Sequence, residues 1–179
     1  GFSQNLVGMA GQAGLAVFGI GQLVSGLAST VGGFVSGAAE METYEAQLST
    51  LMGSATAAKD RLAELAVFGA STPFELPELV RAEKVLQGFG LTGQKALDMT
   101  GLAYDDFFTR VGDISAGVGR PFEEIALTFG KFSAGATGEA ISRLQELGVA
   151  TKEQMAAMGV EFDKAGSLVS PLPVAMQAV

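Results

Sequence analysis

Residues 44–65 read YEAQLSTLMGSATAAKDRLAEL, and their apolar positions recur at alternating spacings of four and three. These positions are Tyr44, Leu48, Leu51, Ala55, Ala58, Leu62 and Leu65. The spacing predicts one apolar stripe along a helix, because 3.6 residues complete each helical turn. The stripe crosses Gly53 and Ser54, where we predict a break. A solvated face is predicted for the charged residues between the stripe positions, which are Lys59, Asp60, Arg61 and Glu64.

Local capping chemistry indicates two helix starts. Thr72, Pro73 and Glu75 match an N-cap, a first-turn proline and the glutamate of a capping box. Thr151 and Gln154 match a second box later in the chain. In such a box, each of the two side chains accepts a hydrogen bond from the backbone N–H of the other residue. We therefore predict that one helix begins after Thr72 and another after Thr151.

Helical spacing of apolar residues continues between these boxes. The helix after the first box is predicted to end in the glycine-rich turn of residues 88–93. The next is predicted to continue unbroken until Gly117 and Gly119, with a stripe made of Leu97, Gly101, Tyr104, Phe108 and Val111. The turn of residues 88–93 matches the glycine spacing of a dinucleotide fingerprint only loosely, and no strand is predicted before it. We interpret it as a connection between helices.

Two more amphipathic helices complete the pattern. One opens at Pro121 and carries an apolar face made of Phe122, Ile125, Phe129 and Phe132. A shorter helix carries Ile141, Leu144 and Leu147 and is predicted to stop at Gly148. After Gly159 the pattern decays. The predicted fold class is all-α, with a Gly/Ala-rich apolar helical segment followed by a bundle of short amphipathic helices.

Charge divides the chain sharply. Residues 1–39 carry no Asp, Glu, Lys or Arg, whereas every charged side chain lies between Glu40 and Lys164. We predict three regions: an uncharged Gly-rich segment at 1–39, a helical domain at 40–160, and a linker or the start of further chain at 161–179. Both ends are expected to be cuts through a longer chain. No basic region precedes the apolar stretch, so a secretory signal peptide is not indicated.

Small residues recur at every fourth position of the uncharged segment. They are Gly21, Ser25, Ser29, Gly33 and Gly37, named here the predicted ridge. On a helix such a ridge permits close approach of a second backbone. Three interpretations remain open: a helix that packs against copies of itself, a membrane-inserting segment, and a flexible Gly-rich linker. Self-association is expected, because a glycine-rich helix is marginal alone.

Composition excludes several functional classes. The net charge of -8 argues against binding to a phosphate backbone, and direct recognition of nucleic acid is not expected. The absence of His and Cys removes the usual zinc ligands, thiolate nucleophiles and any Ser-His arrangement. We therefore expect no metal site and no cofactor.

Two adjacent carboxylate pairs, Asp105-Asp106 and Glu123-Glu124, are the candidates for acid–base catalysis. Neighbouring residues on a helix point in different directions, so neither pair converges on one substrate. Acidic residues in a first helical turn are also favoured by the helix dipole. We predict that the chain is not an enzyme.

The order of several short segments resembles the conserved domain of tape-measure proteins of tailed phages and prophages. Residues 71–79, STPFELPEL, and residues 86–90, LQGFG, are similar to the opening of that domain. Residues 111–119, VGDISAGVG, resemble a later segment, and residues 144–149, LQELGV, its close. The sequence departs from the family by carrying Ala150 where a proline often stands. The resemblance covers about Tyr44 to Val160.

The resemblance implies a long, mostly helical structural protein inside the tail tube of the virion. It sets tail length during assembly and leaves the tail during infection, in some members to act at the host inner membrane. The implied partners are further copies of the chain, as a trimer, together with tail-tube proteins, tail-tip proteins and tail assembly chaperones. The alternative function is a membrane-active or pore-forming helical protein that inserts through the glycine-rich segment.

Overall fold

The structure is a computed structural model and describes residues 34–179. Nine helices make up 72% of these described residues, and they include no strand, which confirms the predicted all-α class. The helices are α1 (Phe34–Met52), α2 (Ala55–Ser71), α3 (Leu76–Gly88), α4 (Gly93–Thr100), α5 (Tyr104–Val118), α6 (Phe122–Ser133), α7 (Thr137–Glu146), α8 (Lys152–Ala157) and α9 (Leu172–Gln177). Contacts divide the described chain into two units, with the boundary between Glu64 and Leu65. The predicted boundaries after residues 39 and 160 stay predictions.

The first unit contains the predicted break between α1 and α2. Gly53 has a φ of 68°, a left-handed conformation that ends α1. The Ser54 hydroxyl then accepts a hydrogen bond from the Ala57 N–H at 3.2 Å, at the start of α2. The break is confirmed, and its cause is a glycine next to a serine that caps the following helix.

The predicted solvated face of α2 is wrong at one residue. Arg61 is only 8% exposed and donates a hydrogen bond to Glu64 at 2.9 Å. Position 61 lies three residues after the buried Ala58 and four before the buried Leu65, so its side chain begins on the buried face. A long aliphatic stem allows an arginine to occupy such a position.

The predicted capping box at Thr72 is also wrong. Helix α3 begins at Leu76 with Glu75 as its N-cap, and Pro77 lies in its first turn. The Thr72 hydroxyl instead donates to the Phe68 carbonyl at 2.9 Å. Because α2 extends to Ser71, Thr72 still lies within reach of the last turn of that helix. Its hydroxyl therefore donates to a carbonyl of the preceding helix.

The helix predicted to run unbroken past Leu97 is two helices. Gly101 has a φ of 74° and ends α4, and α5 begins at Tyr104. Helical spacing of apolar residues persists across the turn, which is why the sequence pattern did not reveal it. The predicted ends at Gly119 and Gly148 are confirmed, since both have positive φ at 64° and 73°.

Packing in the second unit centres on α3 and α6. The Phe122 ring lies 4.7 Å from the Phe108 centroid and 5.0 Å from that of Phe74. The Glu78 carboxylate on α3 accepts a hydrogen bond from the Phe122 N–H at 3.1 Å. Since that N–H has no partner within its own helix, Glu78 caps α6 from 44 residues away. The four predicted apolar residues of this helix are all buried.

Residues 161–179, predicted as a linker or the start of further chain, form a turn and then a helix. An isolated antiparallel bridge pairs Phe162 with Leu168. Helix α9 follows and packs against α4 and α6. Its residues Ala175 and Met176 are buried.

The predicted capping box at Thr151 is confirmed. The Thr151 hydroxyl accepts from the Gln154 N–H at 3.2 Å, and the Gln154 side chain accepts from the Thr151 N–H at 2.8 Å. Hydrogen bonds from its own backbone N–H and from the Thr151 side chain also hold the pKa of Glu153 below its usual value.

Thr151→Ala is expected to lower the free energy of unfolding by about 1 kcal/mol, because it removes the acceptor for a first-turn N–H. Thr72→Ala, the matched control, removes a hydroxyl that caps no helix start and should cost no more than about 0.5 kcal/mol. Urea denaturation followed by circular dichroism measures both. Equal losses would contradict the assignment of these two threonines.

Candidate self-association surface

One residue of the predicted ridge, Gly37, lies in the described part of the chain. Gly37 lies in α1, and a Cβ atom built there would meet no heavy atom within 4 Å. Gly21, Ser25, Ser29 and Gly33 lie outside the described residues. On α1, Gly37 is seven residues before Tyr44 and eleven before the fully buried Leu48, so all three share one face.

The other side of α1 carries a shallow groove lined by four small side chains together with Glu42 and Gln47. Ala39, Thr43, Ala46 and Thr50 line it at spacings of four, three and four, and all four are exposed. The Thr43 and Thr50 hydroxyls donate to the carbonyls four residues earlier, at 2.8 and 2.9 Å. Because both hydroxyls are satisfied within the helix, Thr43 and Thr50 present their methyl groups, whereas Glu42 and Gln47 add polar side chains to the groove.

The same spacing continues backwards in the sequence. Steps of three and four from Ala39 lead to Ser36, Gly32, Ser29 and Ser25, all small residues. We name the eight residues from Ser25 to Thr50 the small-residue seam, of which Ser25, Ser29 and Gly32 lie outside the described residues. A repeat of four residues drifts around a helix, whereas alternating four and three stays on one face. The sequence interpretation missed the seam, although its spacing was the signal that identifies it.

The two candidate carboxylate pairs lie in the first turns of two different helices, α5 and α6. Glu123 pairs with Arg81 on α3 at 3.4 Å, and Glu124 pairs with Arg143 on α7. The hydrogen bond to Glu146 and the contacts with Glu124 raise the pKa of Arg143. Asp105 and Asp106 are exposed in the first turn of α5. The two glutamates therefore form ion pairs with arginines on two different helices, α3 and α7.

One buried carboxylate was not singled out in the sequence. Glu83 on α3 is fully buried and accepts hydrogen bonds from Gln87 at 2.8 Å and from the Tyr104 hydroxyl at 2.9 Å. Tyr104 begins α5, so this carboxylate joins two helices of the second unit. Both oxygens of this buried carboxylate therefore accept hydrogen bonds, as buried polar groups generally do.

Neither a metal-binding cluster nor a membrane-spanning helix occurs in residues 34–179. No group of three or more acidic side chains in this range could hold a metal ion. None of the helices described is both long and apolar enough to cross a bilayer. The glycine-rich turn after α3 connects two helices, as predicted, with Gly90 and Gly93 at φ of 61° and 51°.

Comparison with protein-family models, with curated proteins and with solved structures finds no match to this chain. The resemblance to tape-measure proteins therefore depends on the sequence segments quoted above. The candidate self-association surface among the described residues is the exposed face of α1.

Proposed function

We propose that this chain is part of a structural tail protein, a tape measure that occupies the lumen of a phage tail tube. The observation that carries the proposal is the ordered set of tape-measure-like segments between Tyr44 and Val160 in a chain that folds as short helices. The pairing of Glu123 and Glu124 with two different arginines supports a role without catalysis. Hydrolysis of peptidoglycan by the purified chain that is lost in Glu123→Gln would contradict it.

The tape measure acts as copies packed in parallel along the tube axis, and we propose a trimer. The small-residue seam supplies the contact, because small side chains let helix backbones approach closely and gain dispersion contacts. Ser25 and Ser29 belong both to the predicted ridge and to the seam, whereas Gly37 belongs to the ridge alone. Tail-tube proteins, tail-tip proteins and assembly chaperones are the proposed further partners.

Tail length is the decisive measurement for this function. An insertion of about 35 helical residues between Ala46 and Thr50 is expected to lengthen tails by about 50 Å, at about 1.5 Å per residue. Whole heptads keep the spacing of the seam on both sides of the insertion. Electron microscopy of assembled particles measures the change. Normal particles with tails of unchanged length would contradict the ruler function. An insertion of equal length in the turn of residues 161–170 is the control.

The uncharged segment at 1–39 favours one alternative, a membrane-active protein that inserts through that segment. Release of dye from lipid vesicles by the full chain tests it. Release that is lost when residues 1–33 are removed, in a chain that leaves tail length unaffected, would favour the membrane function over the ruler function.

A further inference from the structure

Helix α9 is a short helix that lies on the surface formed by α4 and α6. Met176 is 3% exposed and Ala175 is fully buried, whereas Val174 on the other side is 42% exposed. The Gln177 side chain lies over Gly101 at the end of α4, with its Cγ 3.7 Å from the position of an ideal Cβ on that glycine. The surface of α4 and α6 therefore accepts an amphipathic helix of six residues.

The attachment of α9 is apolar. In the part of the chain that the structure describes, the hydrogen bonds of residues 171–179 stay within that segment, such as Ala175 N–H to Pro171 carbonyl at 3.3 Å. Pro171 is the N-cap and Pro173 lies in the first turn, where a backbone N–H is not needed. A helix this short is unstable alone, and it forms only where a surface covers its apolar side. The same surface on a second copy of the chain would cover the apolar side of α9 equally well.

The preceding segment, residues 161–170, receives one side-chain hydrogen bond from the rest of the described chain. Its hydrogen bonds are largely internal, as between the Glu161 N–H and the Ser170 hydroxyl at 2.7 Å. Lys152 on α8 donates to the Gly166 carbonyl at 2.6 Å and lies 5.8 Å from the Phe162 ring centroid. Once opened, these residues span up to about 33 Å, at about 3.3 Å per residue.

We propose that α9 is an exchangeable docking helix, which leaves α4 and α6 of its own copy and occupies the same surface of a second copy. The contacts formed in the exchange are those that are lost, so the exchange costs little when copies are held close together. It links copies through a surface separate from the small-residue seam. The exchange does not depend on the tail function.

Disulfide trapping between copies tests the exchange, because the chain contains no cysteine. In Gln177→Cys, the sulfur occupies the position of the present Cγ and lies within reach of a thiol introduced by Gly101→Cys. The two single variants are mixed and oxidised mildly. We expect about tenfold more mixed disulfide dimer than from Gly117→Cys mixed with Gln177→Cys, since docking raises the effective concentration of the two thiols. A Cβ at Gly117 would meet no atom within 4 Å.

Three further variants make the result decisive. Met176→Glu on the Gln177→Cys chain should abolish the mixed dimer, whereas Val174→Glu, at an exposed position, should leave it. A chain with both thiols at high dilution should close an internal disulfide, which shows that α9 docks as the structure describes. An internal disulfide without a mixed dimer overturns the exchange, because α9 then stays on its own copy. Failure of both disulfides overturns the docking itself, and folding of Gly101→Cys is checked by its circular dichroism spectrum.

Discussion

Gly130→Ala is expected to lower the free energy of unfolding by about 2 kcal/mol, because α6 has no room for a methyl group there. A Cβ on Gly130 would overlap the Phe89 ring, with Cε2 at 2.7 Å and Cγ at 2.8 Å. The overlap involves the body of the ring, so the ring or the helix must shift. Phe89 is the C-cap of α3, and the shift therefore separates two helices that pack closely.

Gly117→Ala is the matched control, since the same methyl group enters a helix at a site with no heavy atom within 4 Å. Alanine is the better helix former, so this change should raise the free energy of unfolding by up to about 1 kcal/mol. Urea denaturation at neutral pH measures both variants. A gain in stability for both glycines would show that α6 does not pack against Phe89 as described.

A double variant isolates the contact itself. Phe89→Leu removes the ring that the new methyl group would meet, so Gly130→Ala should cost less in that background than in the original chain. We expect a coupling free energy of about 1 kcal/mol between the two positions. Additive losses would mean that Gly130→Ala destabilises the protein through some other contact.

Thr43→Glu is expected to convert the proposed trimer into monomers. Three copies of a carboxylate would meet along the small-residue seam, where like charges repel and closely packed backbones leave little room for water. Thr43 is exposed and its hydroxyl binds within its own helix, so its loss costs the single chain little. Analytical ultracentrifugation of the purified chain measures the change in mass.

Thr109→Glu on α5 is the control for this change. Thr109 is also exposed in a helix, and its hydroxyl donates to the carbonyl four residues earlier at 2.8 Å, as that of Thr43 does. The variant should remain a trimer. Ser29→Glu is expected to act like Thr43→Glu, because both residues belong to the seam.

Gly37→Glu separates the seam from the ridge predicted at every fourth residue. Gly37 lies on the face of α1 that carries the buried Leu48, away from the seam. The seam predicts that this variant remains a trimer, whereas the ridge predicts that it dissociates. Dissociation of Gly37→Glu together with a stable trimer of Thr43→Glu would refute the seam. A monomer before any substitution would refute self-association altogether.

The candidate surface was only partly accessible to sequence interpretation. Spacing alone identified small residues from Gly21 to Gly37, but it did not show which side of the helix is covered. The burial of Leu48 and the exposure of Thr43 made that distinction within α1. Burial and exposure both depend on neighbouring elements of the fold, which the local sequence pattern does not specify.

Sequence by itself determined the all-α class, the break at Gly53, the ends at Gly119 and Gly148, and the capping box at Thr151. Each depends on residues within about one turn of each other, because backbone conformation and capping are local. Only the tertiary structure decided the direction of the Thr72 hydroxyl, the burial of Arg61 and the docking of α9. Glu78 shows the reason, since its carboxylate caps a helix that begins 44 residues later. The positions of such side chains are set by elements distant in sequence, and the periodicity of apolar residues does not predict them.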